Sequence, residues 1–241
     1  MTTDITRIWV YLSASPLLWL TATLVAYQLA YAIYSRCKFN PLANPVAIAV
    51  ALLVLVLTLT NTPYQTYFQG AQFVHFLLGP ATVALAIPLY LQFEKLRRNW
   101  LALLSAALLG GTAAVATAMG VAWALGASRA TVLSMAPKAV TMPIAMGIAE
   151  KIGGLPTLTA VLVMLTGILG ATAARFIFDA MKIKDHSIRG FAVGVTSHGI
   201  GTARAFQVSE EMGAFAGLAM GLSGVLTALL LPFVLKLLSV F

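Results

Sequence analysis

The chain reads as an all-α integral membrane protein, a polytopic helical bundle with Pro/Gly-broken or re-entrant helices, and an inverted-repeat transporter fold is the specific form considered for it. Three observations predict this. Hydrophobic residues make up 60% of the sequence and charged residues only 9%, with a mean hydropathy of +0.93, where soluble domains carry roughly 25% charge. The charges are also spaced: Arg7 and Arg36, Arg98 and Arg129, Lys151 and Arg175, and Glu211 and Lys236 each enclose an uncharged run able to hold the roughly 20 residues that span hydrocarbon. Finally, Lys138 stands between Pro137 and Pro143 in the apolar stretch Thr131 to Ala149, where two imino acids forbid an ordinary helix.

Taken in order, Pro16 to Tyr34 is longer than a signal-peptide core and lacks a small-residue cleavage site, so it is expected to be a retained first helix. Val46 to Thr60 is the second. The uncharged run that follows is interrupted by Asn61, Pro63, Gln65, Gln69, Gly70 and Gln72, and a polar turn is expected to split it. Phe73 to Phe93 carries Pro80 and Pro88 and should be kinked or broken. Trp100 to Leu125, rich in alanine and containing Gly110 and Gly111, is expected inside the bundle. Thr131 to Ala149 is broken at Pro137 and Pro143, and Thr157 to Phe178 is an uninterrupted helix. A Gly-rich segment, Gly190 to Ala205, is a third candidate interruption before the last helix, Met212 to Leu235. Gly213, Gly217 and Gly221 recur every four residues there, a stripe that permits close helix approach. Residues 1–241 read as a single transmembrane domain. Interruptions in corresponding positions of two halves point to a midplane binding site in secondary transporters, and the runs beginning at Pro80 and Pro137 resemble each other weakly.

Lysine and arginine number 15 against 7 aspartate and glutamate, but they are scattered through short loops instead of forming a stripe. They therefore read as topology signals and not as a nucleic-acid footprint. A lone cysteine, Cys37, excludes an intramolecular disulfide framework. Arg36 with Lys38, then Lys95 with Arg97 and Arg98, then Lys182, Lys184 and Arg189 should share the cytoplasmic side. Three apolar elements separate the last two groups, so one of them must enter and leave on the same face. Thr131 to Ala149 is expected to be that re-entrant element.

A lysine at bilayer depth costs roughly 2.5 to 3.5 kcal/mol on insertion scales, so Lys138 is expected to face a cavity, an anion or a carbonyl cage. The second polar centre runs from Ser197 to Ala205. Gly199 and Gly201 allow backbone amides to approach a ligand, the hydroxyls of Ser197 and Thr202 can donate, and Arg204 offers a planar fork suited to a carboxylate. An imidazole at its reference pKa changes charge in the physiological range, so His198 is a candidate proton carrier. No carboxylate lies deep in an apolar stretch, so neither a metal site nor a buried acidic cation site is read; the coupling ion, proton or sodium, stays open, with sodium held by carbonyls freed at broken helices. Ser134 and Lys138 are four apart, but Pro137 breaks the helix between them. With no H-E-x-x-H, Walker A or G-x-S-x-G pattern present, an enzyme is not expected. A site formed by Lys138, Thr141, Ser197, His198, Gly199, Gly201, Thr202 and Arg204, sharing one chamber, is the expectation.

The runs from Leu78 to Tyr90, Pro137 to Met146 and Ser197 to Arg204 together resemble the LrgB/CidB family over nearly the whole chain. That resemblance implies the bacterial inner (plasma) membrane and an LrgA/CidA-type membrane partner. It also implies one of two activities: transport of small monocarboxylates of the glycolate, glycerate or pyruvate class, or holin-like modulation of murein hydrolases. Lys138, Thr141 and Pro143 match the family's proline-lysine motif, whereas Ala139 and Met142 stand where relatives usually carry hydroxyls, so no particular substrate carries over. The partners expected are a small carboxylate, membrane lipid and a homo-oligomer, with a dimer favoured.

Overall fold

The computed structural model describes residues 15–84 and 86–237. They form two compact units, divided between Ala84 and Leu85, and among the described residues all regular structure is helical. Among the described residues six stretches are long and apolar enough to cross a membrane: Pro16–Arg36, Pro41–Leu59, Tyr64–Leu91, Trp100–Ala124, Pro156–Ala180 and Glu210–Leu237. Their outward faces are rich in exposed Leu, Val, Ile and Phe, as lipid contact requires.

In the first unit, α1 (Pro16–Arg36) is followed by a 3-10 turn (Pro41–Ala43), α2 (Pro45–Leu59), α3 (Tyr64–Phe76) and α4 (Leu78–Ala84). Asn44 caps α2 by accepting from the amides of Val46 and Ala47, and Pro45 at the first position lacks only a donor the helix has no use for. Gly70 lets α3 touch α1: a Cβ there would lie 2.1 Å from the carbonyl oxygen of Pro16. The expected polar turn is shorter than the sequence suggested. Only Thr60 to Pro63 turns, with Asn61 at φ 50°, and Gln65, Gln69 and Gln72 lie on α3. Glutamine is a good helix former, so polarity alone does not end a helix there.

The second unit contains α5 (Ala86–Leu91), α6 (Phe93–Arg98), α7 (Trp100–Ala124), α8 (Arg129–Met135), α9 (Met142–Lys151), α10 (Pro156–Ala180), α11 (His186–Val208) and α12 (Glu210–Leu237). The stretch containing Pro80 and Pro88 is broken as expected, at Leu77 and again at Gln92. Pro80 falls in the first turn after the break at Leu77, where a missing amide costs little. Within the second unit α7, expected to be interior, is mostly exposed: only Ala107, Ala118 and Ala122 are buried on it. Its small residues touch neighbours on one edge while Leu109, Val121 and Trp123 are exposed.

α8 and α9 form a helical hairpin. Leu133 and Ala136 pack against Ile148 and Ile152, and the hydroxyl of Ser134 accepts from the amide of Leu155 at 2.7 Å. The chain therefore returns to the level at which it entered, in keeping with the re-entrant expectation. α11 is a second hairpin, and this was not anticipated. A straight helix of its length would separate its ends by about 33 Å, yet His186 Nδ1 lies 2.7 Å from Ser209 Oγ. The helical angles fail at His198 alone (φ 40°, ψ −132°), and the arms 186–197 and 199–208 run antiparallel. Gly201 makes that fold-back feasible, since a Cβ there would come within 2.6 Å of Val193 Cγ1.

α12 packs along the second hairpin. The closest approach uses Gly190 and Gly194, where a Cβ would lie 2.2 Å from the carbonyl oxygens of Met212 and Ala216 respectively. The glycine stripe expected on α12 is used only in part: Gly213 meets the Phe206 ring, whereas Gly221 faces open space.

Candidate functional site at the hairpin tips

The two hairpins enter from opposite ends of α10. The base of the first adjoins the start of α10, where Thr159 Oγ1 donates to the carbonyl of Ser134 at 2.9 Å. The base of the second adjoins its end, where Arg189 donates to Asp179 at 2.6 Å. Lys95 pairs with Glu211 at 2.5 Å, so the basic groups around Lys95 and Arg189 share one face, as the parity of charged loops requires. The tips then converge at the middle of α10. Val140 packs with Val163, His198 Nε2 donates to the Val163 carbonyl at 2.9 Å, and Gly170 abuts Ser197.

At the first tip, Ala136 to Val140 descend through loose turns, with Lys138 N donating to Met135 O at 3.3 Å and Val140 N to Pro137 O at 3.2 Å. Thr141 is extended and begins α9 without committing its hydroxyl to the helix, and Pro143 occupies the first turn. Lys138 is half-buried, and among the described residues its ammonium has no hydrogen-bond or ion-pair partner. At the second tip, Ser197, His198 and Thr202 are buried, and Thr202 donates to the His198 carbonyl at 2.8 Å. His198 holds a backbone conformation close to the first central residue of a type II′ turn, a place that favours glycine. A strained non-glycine residue kept at a tip is a mark of function. Because a carbonyl only accepts, Nε2 carries the ring proton, leaving Nδ1 as the remaining acceptor.

Both arms that start at the tips, α9 and residues 199–208, present their N-termini there. Each carries about half a positive charge on free amides, a ready setting for an anion. Lys138, Thr141, Ser197, His198 and Thr202 thus belong to the converging tips. Gly199 and Gly201 do so differently than expected. Gly201 permits arm-to-arm packing, while nothing lies closer to a Cβ at Gly199 than Met220 Sδ at 3.9 Å.

Arg204 is not brought to the tips. It lies six residues along its arm, about 9 Å from His198 by helical rise, and lines a separate cavity of about 170 Å³ with Arg175 and Arg189. The shared chamber expected for Lys138 and Arg204 is not formed, because the hairpin carries Arg204 back toward its base. Ser134 is equally unavailable as a nucleophile, its hydroxyl being spent on Ala130 O and Leu155 N. Sequence reasoning missed Gly167 and Gly170, which admit the His198 ring and the Ser197 hydroxyl against α10. Their spacing on an apolar helix was the available signal.

A family model described as "LrgB-like family" matches residues 23–237. Proteins named "Antiholin-like protein LrgB" from Bacillus mycoides (strain KBAB4) and Bacillus cereus (strain B4264) are 30% identical over 218 residues, 90% of this chain and 95% of theirs. The protein of the same name from Bacillus anthracis (strain CDC 684 / NRRL 3495) aligns equally well. No solved structure matches the chain.

Proposed function

We propose, for a chain that belongs to the LrgB-like family and is an integral protein of the bacterial plasma membrane, that the hairpin tips bind a small monocarboxylate and carry it across the bilayer by alternating access. The observation that carries this reading is the ammonium of Lys138, without a partner among the described residues, beside converging tips at each of which one ten-residue helical arm begins. A half-buried cation that no described group neutralises calls for an anionic guest, and helix N-termini at the converging tips supply donors for it without a charged partner. Thr141 and Ser197 add hydroxyls of a size suited to a carboxylate of the glycolate, glycerate or pyruvate class. Uptake into liposomes holding the purified protein tests this. Saturable entry that falls at least tenfold in Lys138→Ala supports a carrier, and size-graded leakage indifferent to that change overturns it.

A second reading is favoured by the name of the relatives, which speaks for it more directly than for transport: an antiholin-like membrane protein that modulates murein hydrolase activity together with an LrgA-type partner. Such a role has no need of a solute site. Co-expression with an LrgA-like protein, followed by autolysis assays, separates the two, since a modulator alters lysis whether or not Lys138 is intact.

A further inference from the structure

The two hairpins meet on α12 as well as on α10, and they reach it from opposite ends. In the first, Ile148 and Ile152 share an apolar cluster with Leu231 and Leu235, while Ile144 Cδ1 lies 3.1 Å from where a Cβ at Gly224 would stand. The start of α9 therefore points toward the lower-numbered residues of α12. In the second, Gly190 abuts the Met212 carbonyl and Gly194 the Ala216 carbonyl, a constant register that brings His198 level with Met220 one turn further on. The contacts agree: Met220 Sδ lies 3.8 Å from Thr202 Oγ1 and 3.9 Å from a Cβ placed at Gly199. Met220 and Gly224 are separated by about 6 Å of helical rise, so both tips end on one turn of α12.

We infer that Met220 sets the length of the acid accepted at the tips. This role rests on the tip reading above and supplies the wall that reading lacks. Lys138, the amides of the two arm starts and the hydroxyls of Thr141 and Ser197 all act on the carboxylate end of a guest. None of them measures its carbon end. On the turn of α12 that both tips reach, Gly224 has no side chain and Leu222 and Ser223 face α7. Met220 is thus the long side chain presented there, and it is half-buried. The Thr202 hydroxyl beside it already donates to the His198 carbonyl, so the pair forms an apolar stop with no donor to offer. An unbranched thioether packs against a short carbon chain, whereas a second carboxylate set against it would lose water and gain no partner. Each methylene that does not fit an apolar wall costs about tenfold or more in affinity.

The test uses the full-length protein in detergent, with glycolate, lactate, 2-hydroxybutyrate, 2-hydroxypentanoate and 2-hydroxyhexanoate as probes. Dissociation constants come from the ligand dependence of thermal unfolding. In the unchanged protein, affinity should drop sharply at one member of the series. Met220→Ala should move that drop to a longer acid, with a gain of about tenfold relative to glycolate for the first acid formerly excluded. Met220→Phe should move it to a shorter one, so either variant decides the matter if the other fails to fold. Gly221→Ala, the next residue but facing open space, should leave the series as it is. Acids that bind, weaken in Lys138→Ala and yet keep the same cut-off in the Met220 variants overturn the role of Met220 and leave the tip reading standing, as does a series that binds with no drop. Failure of every acid to bind the unchanged protein overturns both.

Discussion

The ring of His198 donates from Nε2 to the carbonyl oxygen of Val163 at 2.9 Å, and this bond fastens the tip of one hairpin to the helix against which the tip of the other packs through Val140. His198 does so from a backbone conformation that disfavours every residue except glycine. Strain and hydrogen bond act against each other at one position, and the substitutions that separate them are specific.

His198→Ala keeps the strained angles and loses the bond, so it should destabilise the protein by about 1 to 2 kcal/mol. His198→Gly loses the bond and relieves the strain, which is worth about 1 to 2 kcal/mol for a residue with positive φ, and should lie within about 1 kcal/mol of the unchanged protein. Unfolding in mixed micelles measures both. Alanine proving the milder change would show that the backbone is not held as described.

Close packing of α12 on the second hairpin depends on absent side chains. Gly194→Ala drives a methyl into the Ala216 carbonyl, a backbone atom that cannot swing aside, and should cost about 1 to 3 kcal/mol. Gly221→Ala meets nothing within 4 Å and should be neutral or gain up to about 1 kcal/mol in helix propensity. Melting temperatures of the two variants should therefore move apart.

Ser134 is the brace of the first hairpin. Its hydroxyl bridges Ala130 O and Leu155 N while its own carbonyl receives Thr159. Ser134→Ala leaves the Leu155 amide without that acceptor, at a cost of about 1 to 3 kcal/mol. Hydrogen exchange should accelerate at Leu155 more than at residues near the hairpin tip.

The first hairpin could be read from residues, the second could not. Pro137, Lys138 and Pro143 announce a break because proline removes donors and lysine is costly in lipid, and loop-charge parity supplies the re-entrant geometry. In the second hairpin the reversal rests on His198, a residue type with no turn preference strong enough to notice, inside a run whose propensities are helical on both sides. Gly199 and Gly201 attracted attention as ligand-facing glycines, but only the packing of one arm on the other explains Gly201. Arg204 was misplaced for the same reason: on one continuous segment it adjoins the polar centre, while on a folded-back arm it travels away from it.

The Asp185 carboxylate is held below its ordinary range chiefly by the Ser187 hydroxyl, then by the Ile188 amide, because it caps the first arm of the second hairpin. A depressed folded pKa stabilises above the unfolded value of about 3.9 and loses that contribution as pH falls through the folded value. Asp185→Asn preserves the cap but cannot titrate. Its melting temperature should match the unchanged protein near pH 7 and decline less steeply in acid, below about pH 4. Parallel acid limbs would mean the carboxylate contributes no proton-linked stability.

Because the first hairpin returns to its own entry level, the ends of α7 and α10 that flank it must lie on one side of the membrane. In a Cys37→Ser background, Leu125→Cys and Leu155→Cys replace exposed residues at those ends, and Met181→Cys replaces an exposed residue at the far end of α10. A membrane-impermeant maleimide applied to right-side-out vesicles should label the first two together and spare the third, with the pattern reversed in inverted vesicles. The positive-inside rule expects Met181, beside the basic loop at Lys182, on the cytoplasmic side, and on that expectation the paired sites should react from outside. If Leu125→Cys and Leu155→Cys report opposite sides, α8 and α9 cross the bilayer. The two tips could not then meet from opposite ends of α10, and the site built on Lys138 and His198 would have no common floor.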